Sequence, residues 1–171
     1  MSAMLDVSNA LKFPGQVYRF DAELELPEME VLNDPVRFED IAVHGEYFAA
    51  GDKISVRCQA DAVVHTRCSR CLEPVQMSIS AEVDACFARM PDPEDPDLYT
   101  YESSVVNLTD AVSDALLLEL PYRFLCSENC KGLCSSCGIN LNLGTCTCQE
   151  GLNVTNPFSA LKAIVQNNEE V

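Results

Sequence analysis

The chain has 171 residues, 47% of them apolar, and a net charge of −16. Those totals describe one globular domain of ordinary size and exclude a disordered acidic chain. No run approaches the roughly 18 apolar residues of a membrane span, and the start, Met1-Ser2-Ala3-Met4, lacks the basic-then-apolar order of a secretory signal.

Residues 18–26 alternate strictly, with Tyr18, Phe20, Ala22, Leu24 and Leu26 on one side and Arg19, Asp21, Glu23 and Glu25 on the other. This is the pattern of a half-buried strand with an acidic outer face. Pro27 and the turn Asn33-Asp34-Pro35 interrupt it. A second strand is predicted over 36–48, and its apolar parity changes between Phe38 and Ile41, the slip that a bulge produces.

Gly51-Asp52 then turns the chain into a hairpin. Its apolar residues fall on even positions from Ile54 to Val64 and on odd positions from Val75 to Ala85. A loop at Ser69-Arg70 would set Val64 opposite Val75, Ala60 opposite Ile79 and Cys58 opposite Ala81, with Cys68 facing Cys71 at the tip. Residues 91–98 form an acidic, proline-rich linker. A helix is predicted from Asn107 to about Leu120, with a buried stripe of Leu108, Ala111, Val112, Ala115 and Leu118. Asn156-Pro157 opens a closing helix with Phe158, Leu161, Ile164 and Val165 on one face.

The fold class expected is α+β: an antiparallel β meander, one or two packed helices and a C-terminal cysteine-rich zinc-binding loop region. A single domain over 1–171 is read as a β-rich part (1–90) carrying the CxxC hairpin, the linker (91–98), and a part (99–171) holding the helix, the cysteine-rich module and the closing helix.

Ten cysteines are present, and eight are spaced as metal ligands are. Cys134-Ser-Ser-Cys137-Gly138 has the two-residue gap and trailing glycine of a zinc knuckle, and Cys146-Thr147-Cys148 closes the same site. Cys126 and Cys130 are left to complete a second site with Cys68 and Cys71. Without a secretory signal the cytoplasm is the expected compartment, where such clusters bind metal more often than they form disulfides. Four thiolates leave zinc no open position, so both sites read as structural. An iron–sulfur cluster takes the same ligands, and the colour of the protein separates the two. A redox CxxC normally opens a helix, whereas Cys68 and Cys71 sit at a hairpin tip. Cys58 and Cys86 read as ordinary strand cysteines. His44 and His65 fall in no ligand pattern, and no phosphate loop, nucleophile elbow or HExxH is present. The chain reads as a non-enzyme.

Arg67-Cys68-Ser69-Arg70-Cys71-Leu72-Glu73-Pro74-Val75, Leu120-Pro121, the run from Cys130 to Asn142, Cys146-Thr147-Cys148 and Asn156-Pro157-Phe158 with Leu161 occur in this order. The set resembles the YceD family of large ribosomal RNA subunit accumulation proteins, over about residues 50–165. The resemblance implies a non-enzymatic ribosome-biogenesis factor of a bacterial or plastid compartment, needed for accumulation of large-subunit ribosomal RNA. It carries over Cys68, Cys71, Cys134 and Cys137 as motif cysteines, with Cys126, Cys130, Cys146 and Cys148 associated.

Two mechanisms fit that process. The acidic surface could hold a basic ribosomal protein or the pre-50S particle as an adaptor or chaperone, which the net charge favours. Alternatively Arg67, Arg70, Arg123 and Lys131, gathered beside the first site, could contact ribosomal RNA. A zinc-stabilised interaction module outside ribosome assembly is the third reading. No membrane and no small-molecule substrate is expected.

Overall fold

The computed structural model describes residues 3–148, apart from Leu32 and Pro96. The predicted closing helix from Asn156 lies outside these residues. The chain divides into two compact units, Met1–Cys130 and Lys131–Val171.

The first unit is built on a six-stranded sheet. Its strands are β2 (Tyr18–Leu24), β4 (Asp34–Ala50), β5 (Lys53–Arg67), β6 (Pro74–Ala88) and β7 (Tyr99–Thr100), hydrogen-bonded in that order, with β3 (Met29–Val31) also paired to β4. All these pairs are antiparallel except β6 with β7. A two-stranded sheet joins β1 (Met4–Asp6) to β8 (Val105–Asn107). The helices are α1 (Ser8–Lys12) and α2 (Thr109–Leu118). The architecture is α+β, and no helix among the described residues is long and apolar enough to cross a membrane.

One face of the sheet makes the core. Ile54, Val56, Cys58, Ala60, Ala62 and Val64 are buried along β5, and Val83, Ala85 and Phe87 along β6. The alternation predicted from sequence therefore holds, and α2 packs against β6 with Val112 and Leu116 buried. The Asn107 carboxamide oxygen accepts from the Thr109 N–H at 3.1 Å and from its hydroxyl at 2.7 Å, fixing the start of α2. The parity change in β4 is a register shift between Glu39 and Ala42, with Asp40 at φ 52°. Gly45 opposes Cys58 in the next strand. A Cβ there would collide with the Arg57 carbonyl and with Cys58, so only glycine allows this close approach.

Two expectations need correction. The hairpin register is two residues further on than a two-residue loop would set it. Thr66 faces Val75, Val64 faces Met77, Ala60 faces Ala81 and Cys58 faces Val83. The tip is a longer knuckle in which Cys68 N–H donates to the Glu73 carbonyl, so Cys68 does not oppose Cys71. Faces survive a shift of two, because side chains alternate with period two. Leu118 is the second correction: it is 85% exposed, and Leu116 is buried in the stripe instead.

Candidate metal centres

The hairpin tip that upset the register is the base of the first cysteine group. Leu72 N–H donates to the Cys68 carbonyl at 2.9 Å, and Leu72 takes φ 62° to close the turn. The tip is tied to the segment after α2 by a reciprocal backbone arrangement. Ser69 N–H donates to the Phe124 carbonyl at 2.7 Å, and Phe124 N–H donates to Ser69 Oγ at 3.2 Å. Phe124 is buried, which anchors this segment to the core. Arg70 Nη1 donates to the Cys130 carbonyl at 2.9 Å. Together these bonds deliver Cys126 and Cys130 to Cys68 and Cys71.

The four sulfurs lie within 4.8 Å of one another. Cys68 and Cys130 are 3.7 Å apart, and Cys71 and Cys126 3.6 Å. A regular tetrahedron of thiolates around zinc has sulfur–sulfur edges of about 3.8 Å, from a metal–sulfur distance of about 2.3 Å. A disulfide would need about 2.05 Å. The spacing is that of a metal cage. Cys68, Cys71 and Cys130 are buried, and Cys126 is exposed.

The second group repeats the knuckle in the second unit. Gly138 N–H donates to the Cys134 carbonyl at 2.9 Å, and Cys134 N–H donates to the Ile139 carbonyl at 2.8 Å. These are the bonds of Cys68, Leu72 and Glu73, transposed onto Cys134, Gly138 and Ile139. Gly138 supplies φ 74° where the first knuckle uses Leu72. Cys134, Cys137, Cys146 and Cys148 again hold their sulfurs within 4.8 Å, with Cys134 and Cys146 at 3.4 Å. Leu141 N–H donates to the Gly132 carbonyl and Lys131 N–H to Asn142 Oδ1, closing the loop that returns to the knuckle.

Within each group the thiols differ in how readily they ionise. Burial would raise the Cys68 thiol, but backbone N–H groups of Cys126, Arg70 and Cys71 outweigh it and hold it down at about 6. Cys134 is held at about 6 by the N–H groups of Cys137 and Ser136. Cys71 is the converse: the Glu73 N–H lowers it, yet burial and three sulfur neighbours push it up to about 12. Cys137 pushes Cys148 up to about 12. Each group thus readily ionises one thiol, and a divalent cation would allow the rest to follow. Each could hold one metal ion.

Other residues fall outside these groups. His65 faces Glu39 at 2.8 Å and His44 faces Asp61 at 3.6 Å. Cys58 is buried in the core and Cys86 half-buried on the opposite face of the sheet. Of the four basic residues grouped by sequence, Arg70 and Arg123 share a cleft of about 290 Å3 with Asp34, Ser69, Tyr122 and Phe124. Arg67 ends β5 outside it, and Lys131 belongs to the second unit. Sequence reasoning missed Ser69 and Phe124; an aromatic residue two positions before Cys126 is the only signal that marked the tie.

The family described as large ribosomal RNA subunit accumulation protein YceD matches residues 56–165. An uncharacterised protein of Bacillus subtilis, YlbN, is 30% identical over 125 residues, covering 71% of this chain and 73% of that one. An uncharacterised Mycobacterium tuberculosis protein is 32% identical over 147 residues, covering 80% and 70%. A chloroplastic large ribosomal RNA subunit accumulation protein of maize is 27% identical over 130 residues, covering 54% of this chain and 44% of the relative. No solved structure matches.

Proposed function

The chain belongs to the YceD family of large ribosomal RNA subunit accumulation proteins, and from that premise we propose a non-enzymatic, cytoplasmic factor for accumulation of large-subunit ribosomal RNA. It works as an acidic adaptor, holding a basic ribosomal protein, free or on the pre-50S particle, until assembly. Two zinc ions staple its scaffold, one on Cys68, Cys71, Cys126 and Cys130, the other on Cys134, Cys137, Cys146 and Cys148. Both sites are coordinatively closed, so the metal's contribution is to folding.

Segregation of charge carries this reading. Between Glu82 and Glu119 ten acidic side chains stand against one basic residue, Arg89. That stretch runs from the end of β6 through the linker, β7 and β8 to the end of α2. A field of this sign draws lysine- and arginine-rich protein and repels phosphate. The filled first centre adds to it, since four thiolates and one zinc carry a formal charge of about −2. Arg67, Arg70 and Arg123 offset that charge before any is left for RNA.

The RNA reading has an observation of its own. Tyr122 is 95% exposed in the cleft with Arg70 and Arg123, a composition that suits stacking of a single-stranded base. Crosslinking in growing cells distinguishes the two. A basic ribosomal protein as the main adduct supports the adaptor, and ribosomal RNA alone contradicts it. Arg67→Glu with Arg123→Glu spares the Arg70 bond to Cys130. Unchanged RNA affinity in that variant, with protein capture intact, eliminates the RNA site.

A further inference from the structure

β6 has a hydrogen-bonded neighbour on only one side for most of its length. β5 pairs with it from Pro74 to Phe87, whereas β7 meets its outer side only at Phe87 and Ala88. Among the described residues nothing else pairs with that outer edge between Pro74 and Cys86. An open strand edge of this length is a template for another strand. The opposite edge strand, β2, has 7 residues.

A groove of about 240 Å3 runs beside this edge. Four successive β6 residues, Glu82 to Ala85, form one wall, which happens where a strand's edge and not its face borders the space. The other wall is a single stripe of α2: Ala111, Asp114, Ala115, Leu118 and Glu119. This explains Leu118. Its spacing places it with the apolar stripe, yet the stripe faces a position in the sheet where no strand lies, and the side chain is left exposed. Asp114 and Glu119 put carboxylates on the helix wall, with Asp114 accepting from the Tyr99 hydroxyl at 2.8 Å, while Glu82 and Asp84 stand exposed on the opposite face of β6, Asp84 paired with Arg57 at 3.2 Å.

We propose that this groove receives an extended, lysine- and arginine-rich segment of a partner protein, added as a further strand on the outer edge of β6. Main-chain bonds to β6 hold the segment, an apolar side chain covers Leu118, and alternate cations meet the carboxylates. The proposal rests on the adaptor reading, which supplies the basic cargo, and it names the surface.

The test titrates the full, metal-loaded chain with a twelve-residue peptide of alternating lysine and valine while amide exchange is followed. The expected result is slowed exchange at those amides of 82–85 that point away from β5. Glu82→Lys with Glu119→Lys, both exposed, should weaken binding on the order of tenfold, and Leu118→Ala should weaken it as well. Binding with protection elsewhere overturns the groove and leaves the adaptor reading standing. Absence of binding overturns both. Protection, before any peptide is added, of the amides of 82–85 that point away from β5 also overturns the proposal: if it grows with protein concentration a second copy occupies the edge, and if not, a segment of the same chain does.

Discussion

Cys68 and Cys130, 62 positions apart in the chain, bring their Sγ atoms to 3.7 Å. The approach does not depend on sulfur alone, because Ser69 and Phe124 bond the same two segments through backbone and hydroxyl groups. A metal bound there would therefore lock a contact that the fold already makes. Structural zinc in small modules contributes about 10–16 kcal/mol of apparent binding free energy at pH 7, as large as the whole stability of a typical domain.

Chelation should accordingly act on the knuckles before the sheet. Amides of 68–73 and 126–130 are expected to lose exchange protection, whereas β5 and the buried half of β6 retain theirs. Unchanged protection at the tip after metal removal, verified by elemental analysis, would show that the cysteines carry no structural metal.

The two knuckles differ at the residue that closes them. Leu72 holds φ 62° where Gly138 holds φ 74°, and Leu72 is 57% exposed, so little packing stands against its replacement. A left-handed conformation costs a non-glycine residue roughly 1–2 kcal/mol, partly offset by the greater unfolded-state entropy of glycine. Leu72→Gly is expected to stabilise the metal-loaded protein by about 0.5–1 kcal/mol, read as a rise in the denaturant midpoint. A fall in that midpoint would mean Leu72 makes contacts its exposure does not indicate.

Gly45 is the reverse case. Gly45→Ala should destabilise by roughly 1–3 kcal/mol, the range for overpacking, because the new Cβ meets the Arg57 backbone carbonyl and the Cys58 side chain across the strand pair. Backbone cannot swing aside as a flexible side chain would. Calorimetry on the two proteins checks it, and a neutral result would show that β4 and β5 are further apart here.

Burial pushes the Cys58 thiol up to about 11. A raised folded-state pKa means that the folded protein keeps a proton that the unfolded chain gives up. The stabilisation is complete below the unfolded value near 8.5–9 and is lost as pH rises toward about 11. Cys58→Ala should shrink the alkaline fall in stability relative to the parent. Identical pH profiles from 8 to 11 would place Cys58 in contact with water.

The sequence showed faces better than it showed ends. Strict alternation identified β2, β5 and β6 and the sides they bury, and the parity slip between Phe38 and Ile41 located the β4 bulge. The hairpin register was not legible. Its loop length is set by how a CxxC knuckle aims N–H groups at sulfur, not by the tight-turn preferences of Ser69-Arg70. β1, β3, β7, β8 and α1 have two to five residues each, too few for a period to show. Leu118 was misread for a different reason: periodicity tells which face a helix turns inward, but not whether a strand lies beneath all of it. The grouping of the eight sulfurs was visible in spacing, because each knuckle needs a second cysteine pair and the chain offers one for each.

Elemental analysis of the purified chain decides whether those eight sulfurs form two closed zinc centres. Near two zinc per chain is expected, falling to near one in either Cys71→Ser or Cys137→Ser. Near one zinc in the parent protein, or iron in place of zinc, would contradict it.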